Sequence, residues 1–133
     1  MSLTLALIKP DAVQRNLIGN IITLIEKNDF VIKDIKLMKM SNKIAQEFYS
    51  CHKEKSFYDN LIAYMTSGEI VALVLEKNNA VTSYRNLIGS TDPKVAEDGT
   101  IRQLYALDKS HNSVHGSDSD ENASREIKII FGS

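Results

Sequence analysis

The segment NSVHGSDS, residues 112–119, sets one of only three histidines among small and hydroxylic side chains, with a glycine directly after it and acids close behind. An imidazole can move a proton, bind a metal or attack an electrophile through an unprotonated nitrogen. Attack requires the other ring nitrogen to keep its hydrogen and to be held in place by an acceptor. Ser119 followed by Asp120 and Glu121 reads as a capped helix start with acids in its first turn. Glu126 then falls at the end of that short helix, within reach of the histidine loop. On local composition alone, His115 is an ordinary surface histidine; its significance depends on what else converges on it.

Three cations are candidates for that convergence. Lys9, Arg85 and Arg102 each stand on or beside a loop, and an arginine can grip two phosphate oxygens at once. Singly, each reads as a solvated surface charge. The chain has no GxxxxGK[ST] loop and no GxGxxG turn, so a bound phosphate must be held by side chains. No GxSxG elbow is present either, which leaves histidine itself as the open nucleophile. His111 and His115 have i,i+4 spacing but no HExxH pattern, and the lone Cys51 is distant, so a structural zinc site is not expected.

The elements that must position these groups follow from hydrophobic periodicity. Residues 3–8 form a short apolar run stopped by Pro10, a buried strand that delivers Lys9 at its end. Leu17, Ile18, Ile21, Ile22 and Ile25 recur at helical spacing. Ile35 and Leu37 alternate with Asp34 and Lys36, the pattern of a strand with one wet face. Ser41 or Asn42 caps a helix through Ala45, Phe48 and Tyr49, and a second short helix covers 58–65. Residues 70–75, IVALVL, are apolar on both faces, as a central strand should be. Residues 80–88 read as helix and 127–131 as a last strand. Two βαβ-like halves in one short chain predict an α+β fold: a ferredoxin-like βαββαβ sandwich with a four-stranded antiparallel sheet, helices on its face, and a long loop from Gly89 to Asp118. Loops of that length in compact domains tend to be functional, and this one carries Thr91, Asp92, Arg102, Asn112, His115 and Ser117.

Composition narrows the setting. The chain has 133 residues, enough for one domain over 1–133, and its 16 basic and 17 acidic side chains nearly cancel. That balance offers no global attraction to nucleic acid or membrane, and no basic stripe provides a dedicated nucleic-acid site. The apolar run at 70–75 is far short of the roughly 20 residues that span a bilayer. A single cysteine and a start without signal-peptide character point to the cytoplasm.

Five stretches occur in a fixed order: TLALIKPDAVQRNLIG, HKEKSFYDNLIAYMTSG, RNLIGSTDP, GTIR and NSVHGSDS. Together they resemble the nucleoside diphosphate kinase family, over nearly the whole chain from about Thr4 to Phe131. The resemblance implies a ping-pong enzyme that moves the γ-phosphate of a nucleoside triphosphate such as ATP or GTP onto a histidine, then onto a different nucleoside diphosphate. Magnesium (Mg2+) accompanies the nucleotide, base specificity is broad, and the protein is a homo-oligomer. Carried over position by position, His115 becomes the phosphate acceptor, Glu126 its carboxylate partner and Ser117 a neighbour. Lys9, Tyr49, His52, Arg85, Thr91, Arg102 and Asn112 line the nucleotide site. Phe57 stacks on the base with Leu61 beside it, and Asp118 sits near the metal through water. The chain departs from the family pattern at Asp98, which stands where proline is common, at Gln103 and Leu104, and at Lys109, where an apolar residue near the base is usual. Asp98 implies a less rigid loop, and the departures together bear on substrate preference and assembly without removing a catalytic group.

Overall fold

Alternation along the first strand divides the molecule into two cores. In the computed structural model, which describes residues 1–132, β1 spans Ser2–Ile8. Leu5 and Leu7 enter one core, Ala6 and Ile8 the other, and all four are fully buried, as the two-residue period of a strand requires. The sheet order is β2-β3-β1-β4 with every neighbour antiparallel. Here β2 is Val31–Lys39, β3 is Glu69–Lys77 and β4 is Val114–Gly116. This is the ferredoxin-like sheet that the element order predicts.

Helices flank the sheet on both faces. Pro10 ends β1 and opens α1, Pro10–Gln14, where a missing N–H costs nothing. On one face, α2 (Ile18–Lys27) contributes Ile21 and Ile25, and α5 (Ala80–Ile88) contributes Tyr84 and Ile88. On the other lie α3 (Asn42–Phe48), a 3-10 turn at Ser50–His52, α4 (Tyr58–Met65) and α7 (Asp120–Phe131). Ser41 Oγ caps α3 by accepting from the Ile44 N–H at 3.1 Å, and Ser119 Oγ caps α7 by accepting from Asn122 N–H at 3.1 Å.

The expected strand at 127–131 is instead the last part of α7, and the fourth strand lies earlier, at the histidine itself. Two features hid this. Ala123, Glu126 and Ile130 form the buried stripe of α7, and an acidic residue within it breaks the apolar period that marks a helix. The strand, only three residues long with His115 in the middle, has no alternation to show. Its register pairs Leu7 with His115 and Ile8 with Val114, so the sheet holds the histidine in place of a loop.

Two further regions depart from their sequence appearance. Ile35 and Leu37 do lie on a strand, yet they remain 46% and 58% exposed. A register shift between Ile32 and Asp34 turns the strand at this margin of the sheet. The loop around Asp98 is braced by Gln103: its Oε1 accepts from the Gly99 N–H at 3.1 Å, while Thr100 Oγ1 accepts from the Gln103 N–H at 3.3 Å. Thr100 thereby caps α6, Ile101–Tyr105. Gln103 thus supplies a tether that its departure from the family pattern did not advertise.

Gly116 has a packing reason. A Cβ there would lie 2.8 Å from Tyr84 Cδ2 and 3.3 Å from Ile88 Cδ1, so the glycine makes room for the core under the strand, on the face away from the imidazole. Gly116→Ala should therefore destabilise the protein by about 1–3 kcal/mol through overpacking, measured by chemical denaturation. An unchanged midpoint would show that Tyr84 can yield without cost.

Candidate active site

The site is assembled where β1 ends beside the start of β4. His115 lies on the face shared with Leu7, its ring edge-on to Phe48 at 5.1 Å and to Tyr49 at 6.4 Å between centroids. Glu126, 5% exposed, reaches across from α7 and places Oε1 2.9 Å from His115 Nε2. The same oxygen accepts from Ser117 Oγ at 2.6 Å, and Ser117 Oγ accepts in turn from the Leu5 N–H at 3.4 Å. An oxygen that accepts from both sides requires the ring hydrogen on Nε2. Nδ1 is then the nitrogen with the free lone pair.

Lys9 occupies the end of β1. Its backbone N–H donates to the Ser113 carbonyl at 2.8 Å, and its ammonium donates to Asn112 Oδ1 at 2.8 Å. Both side chains are buried. Burial, aided by the nearby Arg102 charge and opposed by Asp11, brings the Lys9 ammonium down to about 8. Asn112 passes the constraint on, since its Nδ2 donates to the Lys109 carbonyl at 3.0 Å.

Arg102, on α6, is used partly as a strut. Its Nη1 and Nη2 donate to the carbonyls of Gly89 and Val114, each at 3.0 Å, which ties the long loop to the histidine strand. Burial holds its guanidinium below the usual arginine range. Arg85 is exposed on α5, and its charge acts on both Arg102 and Asp118. Asp118 is exposed next to the α7 cap, and its carboxyl is held below the usual range first by a bond from Asn122 Nδ2 at 2.5 Å.

The helical insert supplies an aromatic wall. Tyr49, His52 and Phe57 follow one another, with ring centroids 6.4 Å apart for Tyr49 and His52 and 5.6 Å apart for His52 and Phe57. Burial raises the Tyr49 phenol above its ordinary range and lowers the His52 imidazole. Tyr49 OH, His52 Nδ1 and Arg102 Nε are buried polar atoms without a partner. Phe57, Leu61, Asn60 and Tyr64 form the helical side of a cleft of about 660 Å³, and Lys9, Thr91, Lys109, Ser110 and His111 complete its lining. Among the described residues no three histidine, cysteine, aspartate or glutamate side chains converge as a metal cage.

One cluster was not anticipated as such. Asp11, 7% exposed, accepts from Tyr64 OH, from Arg15 Nη2 at 2.9 Å and from Ser113 Oγ at 3.2 Å. It ties α1 and α4 to the residue whose carbonyl holds Lys9. Its place next to Pro10 marked a turn in the sequence, but nothing marked Tyr64 as its partner.

A ferredoxin-like domain that buries a lysine and half-buries an arginine near a carboxylate-held imidazole defines an enzyme built to handle anions. Residues 2–133 match the family described as Nucleoside diphosphate kinase, and the chain belongs to that family. It is 56% identical to the nucleoside diphosphate kinase of Lawsonia intracellularis over 98% of this chain and 95% of that one. Its identity to the Staphylothermus marinus enzyme is 50%, over 96% and 91%. The crystal structure of the Aquifex aeolicus nucleoside diphosphate kinase superposes with a TM-score of 0.94 at 39% identity, covering 98% of this chain and 94% of that one. The Halobacterium salinarum enzyme in complex with CDP gives 0.95, also at 39%, over 99% and 88%. The chain is an enzyme with this family's activity.

Lys9 carries a measurable signature. Its proton is held less tightly in the folded chain, near 8, than in the unfolded chain, near the ordinary 10.5. Between those values the unfolded chain binds more protons, so stability contributed by this group rises as pH rises through the window. Below it, the cost of the buried charge is fully present. The difference in unfolding free energy between Lys9→Met and the wild type should therefore shift toward the wild type by about 3 kcal/mol from pH 7.5 to 10.5. A pH-independent difference would contradict a buried charged lysine.

Proposed function

We propose that the protein transfers the γ-phosphate of a magnesium-bound nucleoside triphosphate to His115 Nδ1 and from there to a nucleoside diphosphate, as one catalytic unit spanning residues 1–133. The observation that carries this reading is the Glu126 contact to His115 Nε2 at 2.9 Å, shared with Ser117. It fixes the ring in the tautomer that attacks through Nδ1.

In the first half-reaction the Nδ1 lone pair forms a bond to the γ-phosphorus, while the bond from that phosphorus to the bridging oxygen breaks and the diphosphate leaves. Nε2 keeps its proton, so the ring gains positive charge as it is phosphorylated, and the Glu126 carboxylate opposite Nε2 stabilises that charge. The second half-reaction is the reverse: a terminal oxygen of the incoming diphosphate attacks, and the N–P bond breaks. Lys9, Arg85 and Arg102 stabilise charge on the transferring group. Thr91 and Arg85 meet the phosphates beside Arg102, and Asn112 and Lys9 meet the ribose hydroxyls. The unpartnered Tyr49 OH, His52 Nδ1 and Arg102 Nε are polar atoms a bound nucleotide can satisfy.

Phe57, 48% exposed at the cleft rim, stacks on the base with Leu61 beneath it. Stacking accepts every base, which suits broad specificity. The related halophilic enzyme in complex with CDP supports a nucleotide in this cleft. The metal enters as part of the nucleotide substrate. Asp118 adds an outer contact to that cation through water.

Assembly as a homo-oligomer is supported by β2, an edge strand whose Val31, Ile35 and Leu37 are 50%, 46% and 58% exposed. An exposed apolar edge is a surface that a second copy covers. No helix among the described residues is long and apolar enough to cross a membrane, and an exposed free thiol at Cys51 suits the reducing cytoplasm.

Incubation with magnesium and γ-labelled triphosphate should leave an acid-labile label on the wild type, absent from His115→Ala and discharged by an unrelated nucleoside diphosphate. Glu126→Ala should slow labelling by about 10- to 100-fold with nucleotide affinity largely kept. A label that survives in His115→Ala, or one that only proteins can accept, would overturn the mechanism. For assembly, Leu37→Glu should lower the light-scattering mass, and an unaltered oligomer would place the interface elsewhere.

A further inference from the structure

Among the described residues, Lys109 is a cation of the cleft lining that the phosphate chemistry leaves unused, and Lys55 lies 5.7 Å from the centroid of the Phe57 ring. Lys9 donates one of its hydrogens to Asn112 and serves the phosphates and ribose with the rest, and Arg102 is engaged partly by two carbonyls. Lys109 lines the same cleft as Phe57 and Leu61, on the loop opposite α4. Its backbone is fixed, because its carbonyl accepts from Asn112 Nδ2 at 3.0 Å. Its side chain is 72% exposed, and its ammonium lies 4.0 Å from Asp92 Oδ2. The other Asp92 oxygen already accepts from the Lys94 N–H at 3.0 Å. Asp92 therefore steers the ammonium along the cleft mouth without using all three of its hydrogens.

We propose that Lys109 is a specificity residue that favours bases carrying a carbonyl at the exocyclic position, guanine and uracil or thymine, over adenine and cytosine, which carry an amino group there. The inference rests on the nucleotide reading above and deepens it. A lysine ammonium only donates hydrogen bonds. With the base stacked on Phe57, the lysine stem covers apolar surface and the ammonium meets the base edge. A carbonyl there accepts; an amino group presents hydrogen to hydrogen. The neighbours do not make this distinction. Asn60 offers both a donor and an acceptor. The N–H groups of Ser110 and His111 are spent on Asp108 Oδ1 at 2.8 Å each, and the His111 ring is held by Asp108 and set edge-on to Tyr64 at 5.0 Å.

The test follows discharge of the phosphorylated enzyme by GDP, ADP, UDP and CDP in turn. The wild type should react about three- to fivefold faster with GDP than ADP and with UDP than CDP, the scale of one exposed charge-assisted bond. Lys109→Met, which keeps the stem, should bring both ratios near one, and Asp92→Asn should reduce both. Ratios equal in wild type and Lys109→Met would overturn the proposal, as would a preference that sorts purines from pyrimidines, or an equal loss with all four diphosphates. Failure of every triphosphate to label His115 would instead overturn the mechanism on which the proposal rests.

Discussion

The contact between His115 and Glu126 depends on how two consecutive elements, β4 and α7, are folded against each other. β4 brings the imidazole as the partner of Leu7, and α7 returns across the sheet to bring the carboxylate. A buried carboxylate is costly unless each lone pair is answered, and here the ring and Ser117 answer the same oxygen. Ser117 is in turn fixed by the backbone of Leu5. The tautomer of the histidine is thus set by the central part of the sheet. Solvent has little say in it.

The cation side is built by the same logic. Lys9 reaches the cleft because Pro10 stops β1, and it stays there because Asn112 and the Ser113 carbonyl hold its two ends. Asp11 stabilises that corner through Tyr64, Arg15 and Ser113. The protein accepts the cost of a desolvated ammonium at this point, a trade of stability for a charge already in position when an anion arrives.

Much of this was legible in the sequence, and what was missed has physical causes. The strand at β1 showed as a short apolar run stopped by Pro10, and the helix at α2 because apolar residues recurred at helical spacing. The order of the last two elements did not, because Glu126 interrupts the buried stripe of α7 and His115 replaces an apolar residue in a three-residue strand. Function broke the pattern at those two positions. Gly116 stood out only as the glycine after the histidine, and its partner, Tyr84, lies on the side away from the chemistry. Asp11 and Tyr64 are far apart in the chain, and no period or motif couples them. The bracing of the long loop by Gln103 was equally silent, since it depends on the placement of a single amide.

β4 is one residue thick between two different demands. On one side its middle residue meets Glu126 and the rings of Phe48 and Tyr49; on the other, Val114 and Gly116 close the core against Tyr84 and Ile88. No layer of neutral packing separates the reactive nitrogen from the hydrophobic interior. Chemistry and folding therefore share a single backbone segment, and the sequence of that segment is constrained twice at every position.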